Sequence, residues 1–413
     1  YNPDAKKMEI KMKKTNISAL LLAALLLIQL LCAPVSAVTA EPAADAQADA
    51  QTASDNSAGD AAAEADSVPE DQLLSSREQF SVAAKAALLI VLNTNRVVYE
   101  QDADERIYPA SLTKIMTCLI ALENGNLSDV VTVSESALAD LDEDSSVAGL
   151  VVGEQMTLEN LLYCMMVVSG NDACNVIAEH VAGSVTDFVR MMNQRAYELG
   201  CTNTHFNNPH GLHDESHYTT ARDLAIITQA ALKSENFRQI VDTYEYKLPD
   251  DNMRQNIPKL KTTNMLIYQS MSNSLYYPRA HGIKTGYTSQ AGRCVISEAT
   301  GDGLDLLGIV CGAATTVLDS GDLLMENFTE CARLFDYGFD NYSYLTLMSP
   351  LYPVDQVKIN NSAGAEAVAV APEDEIKVLL PNDYDPDQLE TKIQLNSESV
   401  DAPVHEGDVL GSA

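Results

Sequence analysis

The sequence predicts an α+β protein in which an antiparallel sheet packs against a helical cluster and a small β-rich domain follows. Apolar or alternating runs at 86–92 and 97–100 are typical of a hairpin, and 292–300 with 305–312 predict a second one. Because helix-period segments lie between the hairpins, the first and last strands should pair in one sheet. From 342 to 413, short alternating runs separated by Pro, Asn, Asp and Gly favour a β-rich domain, which the last residues suggest is truncated.

Turn residues and helical spacing place the individual elements. Asn93-Thr94-Asn95 and Gly301-Asp302-Gly303 are turn chemistry at the centres of the two hairpins. Apolar residues recur at helical spacing in five segments. The predicted helices are 109–124, 158–168, 172–181, 186–199 and 318–337. In the C-terminal region, 354–359 and 376–380 have the clearest strand patterns.

Residues 1–37 have the pattern of a leader that contains a secretory signal peptide. Several Lys residues precede an apolar run from Ile17 to Leu31, and Val35-Ser36-Ala37 is a small-residue cleavage site. An uncleaved anchor helix is the alternative, but the run is short for a span of about 20 residues. Lipidation of Cys32 is disfavoured because Leu31 is not a small residue. The pattern predicts export to the cell envelope or periplasm.

The composition excludes one class of partner and indicates which part of the chain does not fold. Residues 38–77 are rich in Ala and acidic side chains and predict a disordered linker, because they hold too little apolar surface to fold. The formal net charge of −33 argues against nucleic-acid binding, which needs Lys and Arg for phosphate contacts. Eight cysteines without a repeated spacing do not form a disulfide framework. Cys164, Cys174 and Cys311 are expected to be small buried hydrophobes.

Three short motifs follow one another in a fixed order. They are Ser111-Leu112-Thr113-Lys114, Ser169-Gly170-Asn171 and Lys284-Thr285-Gly286. Each alone is weak, because it also occurs as a capped helix start, an inter-helix turn or a strand end. Together they are more specific, since the first opens a predicted helix, the second lies between two helices and the third precedes the final hairpin. The order predicts one site built from three distant segments.

The first two motifs contain residue types that suit nucleophilic catalysis. A serine hydroxyl needs a neighbouring base, and Lys114 lies three residues after Ser111, on the same helix face. Lysine is a base only when neutral, and burial or a second cation lowers its pKa. Lys284 is the candidate second cation. Ser169 is predicted to relay a proton, and Asn171 to orient Lys114 and bind a substrate amide.

The third motif suits substrate binding. Lys284 and Thr285 provide a cation and a hydroxyl for a free C-terminal carboxylate. Gly286 has no side chain, so a substrate backbone can lie against an edge strand at this point.

The residues around the motifs resemble one family. Segments 109–117, 169–173, 208–212, 218–225 and 282–288 are similar to the low-molecular-mass penicillin-binding proteins, which are serine-type D-alanyl-D-alanine carboxypeptidases. The resemblance implies a penicillin-recognising catalytic domain of the β-lactamase and transpeptidase type over 78–338.

The resemblance also implies a reaction. The terminal D-Ala of peptidoglycan stem pentapeptides would be removed through an acyl-enzyme on Ser111, with an oxyanion hole formed by the backbone N–H groups of Ser111 and Tyr287. β-Lactams should acylate the same serine as covalent inhibitors, and no cofactor or metal is implied. Family members commonly end in a membrane-anchoring amphipathic helix, and no such pattern precedes Ala413.

Several alternatives stay open at the level of the sequence. A β-lactamase or a D,D-endopeptidase would use the same residues, and a non-catalytic cell-wall-binding module would carry a decayed site. Two polar clusters suggest metal ligands, but their loop composition favours solvated side chains. The clusters are His210, His213, Asp214 and His217, and Asp140, Asp142, Glu143 and Asp144.

Overall fold

The computed structural model describes residues 12–13, 80–139, 141, 145–318, 321 and 323–413. The predicted linker, all of the predicted leader except Met12–Lys13, and the acidic residues Asp140, Asp142, Glu143 and Asp144 lie outside these residues. The described chain divides into two compact units. One comprises Ser81–Leu345 and Val378–Asp385, and the other comprises Thr346–Lys377 and Pro386–Ala413 with the described residues before 81.

The first unit contains the helices and most of the strands. Its strands are β1 (Ala86–Val91), β2 (Arg96–Gln101), β3 (Val130–Thr132), β4 (Gln155–Thr157), β5 (Glu245–Tyr246), β6 (Leu260–Lys261), β7 (Ala280–Thr288), β8 (Gly292–Gly301), β9 (Leu304–Ala313), β10 (Thr315–Val317) and β11 (Leu323–Met325). Its helices are α1 (Lys114–Asn124), α2 (Glu135–Ala139), α3 (Leu158–Val167), α4 (Asn171–Ala182), α5 (Val185–Glu198), α6 (Ala221–Ala231), α7 (Glu235–Val241) and α8 (Glu326–Asn341). A 3₁₀ turn, Ala110–Thr113, precedes α1.

The central sheet of this unit is antiparallel, with the strand order β2-β1-β9-β8-β7. Leu306 of β9 pairs with Val91 of β1, so the first and last hairpins lie side by side as predicted. The tight turn after β7 brings Tyr287 opposite Arg293 of β8. Strand β7, which contains the third motif, is at an edge of this sheet, and one side of its backbone is therefore available to a ligand.

The two faces of the sheet pack against different helices. Leu88 and Ile90 of β1 belong to the apolar core that α1 and α3 to α7 share. The alternate residue Leu89 points the other way and approaches Gly338 of α8. Helix α8 therefore covers the opposite face, where Gly308 leaves room for the Phe335 ring.

Side-chain caps explain where several helices begin. The hydroxyl groups of Thr157, Ser184, Thr220 and Ser234 each accept a hydrogen bond from a backbone amide in the first turn, at the starts of α3, α5, α6 and α7. Helices α6 and α7 were not predicted, although their Thr and Ser caps are visible in the sequence.

The predicted helix over 318–337 is partly wrong. Helix α8 begins only at Glu326, and strands β10 and β11 before it are antiparallel, with Val317 paired with Leu323. Thr315, Thr316 and Val317 are β-branched and favour a strand. Apolar residues of β11 continue the helical spacing of α8, so the pattern predicts one longer helix.

The second unit is built from short strands. They are β13 (Asp355–Asn360), β14 (Ala367–Pro372), β16 (Gln394–Leu395), β17 (Ser399–Asp401) and β18 (Gly411–Ser412), while β12 (Tyr342–Met348) and β15 (Ile376–Pro381) cross the unit boundaries. Val357, Val368 and Val370 form its small core, and a 3₁₀ turn lies at Pro386–Gln388. Met12–Lys13 pairs with β14.

These elements confirm the predicted α+β fold class with an antiparallel sheet, a helical cluster and a β-rich C-terminal region. The prediction for Cys164, Cys174 and Cys311 is also confirmed, because all three are buried free thiols. No helix among the described residues combines the length and apolarity that a membrane span requires.

We expect Gly308→Ala to destabilise the first unit by about 1–3 kcal/mol through overpacking. A methyl group there would lie 2.8 Å from Cε1 of Phe335 and 3.4 Å from Sγ of Cys331. Chemical denaturation followed by circular dichroism measures the change. Gly364→Ala is the control, because nothing lies within 4 Å of its added carbon. Equal midpoints for the two variants would contradict the packing argument.

Candidate active site

A cleft of about 460 Å³ lies where the three motifs meet. Its walls come from the start of the first helix, the turn before α4, the edge strand β7 and the start of α8. The residues that line it are Ser111, Ser145, Ser146, Ser169, Asn171, Gly211, Leu212, Thr263, Thr285, Gly286, Tyr287, Thr288, Arg293, Met325, Asn327 and Phe328. Six of the predicted site residues are therefore brought to one surface: Ser111, Ser169, Asn171, Thr285, Gly286 and Tyr287.

A strained backbone presents Ser111 to the cleft. Ala110, directly before it, has a left-handed φ of 48°, which is uncommon for a residue with a side chain. Gly211 packs against this turn so closely that a Cβ there would lie 1.8 Å from the Ala110 carbonyl oxygen. The conformation around Ser111 thus depends on a glycine a hundred positions later in the chain.

Lys114 lies behind Ser111 and is fully buried, with 0% of its surface exposed. Its Nζ is 2.8 Å from Ser111 Oγ, 2.7 Å from Asn171 Oδ1 and 2.7 Å from the backbone oxygen of His210. The amide and carbonyl oxygens can only accept, so they take two N–H groups of the amine. In a neutral amine the lone pair then remains for the Ser111 hydroxyl. This is the geometry that a general base requires.

Burial lowers the pKa of Lys114 to about 8, although the neighbouring Cys174 and Asp172 act in the opposite direction. Burial also holds the pKa of Lys284 well below its usual value, and the charge of Lys114 lowers it further. The sequence predicted that the second lysine would depress the pKa of the first. In the structure burial is the main cause for both amines, and the charge effect between the two lysines acts on Lys284 instead.

The second motif connects α3 to α4. Ser169 has a left-handed φ of 64° and lines the cleft, while Asn171 is the first residue of α4. Gly170 between them is tightly surrounded, because a Cβ there would lie 3.0 Å from the Cys164 carbonyl oxygen and 3.1 Å from the Ala148 Cβ. The turn is thereby held in the shape that brings both polar residues to the cleft that Ser111 lines.

The third motif lies along β7, with its three residues in different environments. Lys284 is only 1% exposed, and its Nζ donates to the Thr285 carbonyl oxygen at 3.0 Å. Thr285 faces the cleft, with its Oγ1 2.6 Å from Oγ1 of Thr263. A Cβ at Gly286 would lie 3.1 Å from the Ser111 nitrogen. The strand can therefore approach Ser111 because residue 286 has no side chain.

Neither Lys114 nor Lys284 lines the cleft. The cationic side chain among the lining residues is that of Arg293. Its guanidinium lies 4.8 Å from the centroid of the Tyr287 ring and donates through Nε to Thr315 Oγ1 at 2.5 Å. Arg293 is not among the site residues predicted from the sequence. The available signal was the tight β7–β8 turn, which places Arg293 directly opposite Tyr287.

The three histidines of the 210–217 segment point to different partners. His217 Nε2 lies 2.9 Å from Thr113 Oγ1, and the His213 ring packs edge-on against Tyr108. His210 contributes its backbone oxygen to Lys114, and its ring accepts from the Leu212 amide at 3.2 Å. Burial lowers the pKa of His210 to about 3 and that of His217 to about 4. Within the described part of the chain, no group of three His, Cys, Asp or Glu side chains has metal-binding geometry.

Comparison with known proteins agrees with this site. The sequence model for D-alanyl-D-alanine carboxypeptidase matches residues 73–315. D-alanyl-D-alanine carboxypeptidase DacF of Bacillus subtilis is 34% identical over 337 residues, which are 80% of each chain. DacC of Escherichia coli, another D-alanyl-D-alanine carboxypeptidase, is 30% identical over 348 residues, again 80% of each chain.

Solved structures show the same relationship. Penicillin-binding protein 5 from Haemophilus influenzae superposes with a TM-score of 0.59 and 28% identity, over 80% of this chain and 92% of that one. A DD-transpeptidase of Streptomyces gives a TM-score of 0.55 and 30% identity, over 63% of this chain and 98% of that one. With the family match, these similarities confirm the resemblance that the motifs indicated, and the chain belongs to the D-alanyl-D-alanine carboxypeptidase family of serine peptidases.

Proposed function

We propose that this carboxypeptidase removes the terminal D-Ala from peptidoglycan stem pentapeptides through an acyl-enzyme on Ser111, and that β-lactams acylate the same residue. The observation that supports this assignment most directly is the 2.8 Å contact between Lys114 Nζ and Ser111 Oγ, with the other two partners of the amine both being acceptors. Ser111 is then the nucleophile and Lys114 its base.

Acylation begins from the neutral form of Lys114. The amine takes the hydroxyl proton while Ser111 Oγ bonds to the carbonyl carbon between the two D-alanines. Negative charge develops on the carbonyl oxygen, and the backbone N–H groups of Ser111 and Tyr287 stabilise it. The close approach of Gly286 to the Ser111 nitrogen supports this pairing, because it brings β7 beside the helix start.

Collapse of the intermediate breaks the carbon–nitrogen bond and needs a proton on the leaving amine. Ser169 lines the cleft and is assigned the relay of this proton from the lysine pair. Asn171 holds Lys114 through Oδ1, and its amide nitrogen remains to bind the substrate. Water then attacks the acyl-enzyme, Ser111 regains its proton, and the shortened peptide leaves with a new carboxylate.

The leaving D-Ala carries a carboxylate that needs a cationic partner in the cleft. Thr285 and Arg293 both line the cleft and are assigned the direct contacts, because an arginine fork suits a carboxylate. Lys284 is buried behind Thr285 and donates to its backbone oxygen, so it is assigned the positioning of Thr285 rather than a direct contact with the carboxylate. This assignment modifies the sequence-based role of Lys284 and adds Arg293.

The surrounding segments complete the proposal. Residues 1–37 are proposed to direct export and 38–77 to link the leader to a catalytic domain at 78–338, with a small β-rich domain at 342–413. The enzyme would then work outside the cytoplasm, where peptidoglycan is exposed.

Ser111→Ala should abolish covalent labelling by a fluorescent penicillin, because the attacking oxygen is removed. Labelling is measured by gel fluorescence of the purified protein. Ser289→Ala is the control, since Ser289 is an exposed loop serine and the variant should label like the unmodified enzyme. Persistent labelling of Ser111→Ala at an unchanged thermal midpoint would refute the assigned nucleophile.

The acylation rate should rise with pH through about 8, the pKa to which burial lowers Lys114. The reactive form is the neutral amine, so the rate below this pH falls by about tenfold for each pH unit. Stopped-flow measurement of penicillin acylation from pH 6 to 10 gives the profile. Lys114→Arg cannot lose its proton and should acylate at least 100-fold more slowly. A pH-independent rate would contradict the role of the amine.

Arg293→Gln should raise KM for peptides that end in a free D-Ala carboxylate by about tenfold or more, through loss of a charge-assisted bond. The KM for the matching C-terminal amides should change little. Arg279→Gln is the control, because Arg279 lies over the Phe339 ring and pairs with Asp302 instead. Release of D-Ala or D-Ala amide measures both substrates. An equal change for acid and amide would reject the carboxylate contact.

A further inference from the structure

Asp172 directly follows the second motif and lies in the first turn of α4, with 2% of its surface exposed. Its carboxylate accepts hydrogen bonds from three consecutive backbone amides at 148–150, at distances of 2.9, 2.9 and 3.0 Å. A fourth bond of 2.9 Å comes from the Ala173 amide. Successive amides that converge on one point form a site for a negative group, and here a side chain of the same protein fills it.

The amides belong to a segment that forms one wall of the cleft, which we call the wall loop (Ser145–Leu150). Ser145 and Ser146 of this loop line the cleft. The backbone oxygen of Ser146 accepts a hydrogen bond from the Asn171 amide at 2.8 Å. The wall loop is therefore joined to the second motif at two adjacent residues, Asn171 and Asp172.

Asn171, at which the wall loop is joined to the second motif, also contacts Lys114, the proposed base. Asn171 Oδ1 is 2.7 Å from Lys114 Nζ, so a displacement of the start of α4 would also displace a partner of the amine. The carboxylate of Asp172 acts on Lys114 through its charge as well, and it raises the pKa that burial lowers. Asp172 therefore affects the Lys114 amine in two ways: through the position of Asn171 and through its own negative charge.

We propose that Asp172 is a positioning residue of the reaction, which holds the wall loop against the second motif and thereby sets both the width of the cleft and the hydrogen bond from Lys114 to Asn171. The inference rests on the proposed function, since that function assigns Lys114 as the base. Loss of the carboxylate leaves buried amides without an acceptor, which favours a displaced loop.

The test compares Asp172→Asn with Asp223→Asn. Asp223 is a matched control because it is also a buried carboxylate in the first turn of a helix, where it accepts from the Asn203 amide and the Thr204 hydroxyl. Asp223 does not line the cleft. The measurements are the second-order rate constant for penicillin acylation, its pH profile and the thermal midpoint.

Asp172→Asn should acylate about 10- to 100-fold more slowly at its optimum, because displacement of a catalytic group by about 1 Å can cost that much. The acid limb of its pH profile, where the acylation rate falls as Lys114 becomes protonated, should move to lower pH. The reason is that the negative charge that raises the Lys114 pKa is removed. Asp223→Asn should keep the acylation rate and the position of the acid limb of the unmodified enzyme, even if its thermal midpoint falls. Identical rates and limbs in the two variants would overturn the inference.

A second variant covers the case in which Asp172→Asn does not fold. Gly149 has a φ of 76°, and an added Cβ would meet only Arg254 Nη1 at 3.8 Å, so Gly149→Ala strains the wall loop without a clash. Because Asp172 remains charged, acylation should slow while the acid limb stays in place. A folded Gly149→Ala with the unmodified rate would overturn the positioning role. Labelling of Ser111→Ala in the same assay would instead refute the proposed function itself.

Discussion

The proposed chemistry of this protein depends on the burial of one amine, that of Lys114. An ammonium group without water is costly, and it persists in a protein only where polar partners replace the solvent. Lys114 has three such partners, and they come from the 3₁₀ turn before its own helix, from the start of α4 and from the loop that contains His210. Because two of them can only accept, the least costly adjustment of the amine is loss of the proton that faces Ser111. Burial therefore favours a neutral amine beside the hydroxyl of Ser111, the proposed nucleophile.

The same requirement explains why so much of the cleft is tightly packed backbone. Gly211 lies against the turn before Ser111, and Gly286 lies against the Ser111 nitrogen. Any larger residue at either point would separate the elements that together exclude water from Lys114. The wall loop forms another wall of the cleft, and three of its backbone amides donate hydrogen bonds to the Asp172 carboxylate. Close contacts between backbone segments thus maintain the low polarity on which the amine depends.

Local patterns predicted the elements around this site well where one signal dominated. The two hairpins, the helix after Ser111 and the three motifs were all visible from turn residues, apolar period and spacing. The predicted helix over 318–337 is only partly correct, because the apolar residues of strand β11 continue the helical spacing of α8. Arg293 was missed because a single arginine in a strand has no pattern of its own. Its position opposite Tyr287 follows from the strand register that the tight turn after β7 sets.

The sequence by itself determined the fold class, the family resemblance and the identity of the candidate nucleophile, because these depend on residue types at short spacings. The tertiary structure decided which cation faces the cleft, what lowers the pKa of Lys114 and what holds the wall loop. Those properties depend on burial and on distances between segments such as 145–150, 169–172 and 284–293. Desolvation is a property of the assembled surroundings of a group, and no neighbouring residues in the chain reveal it.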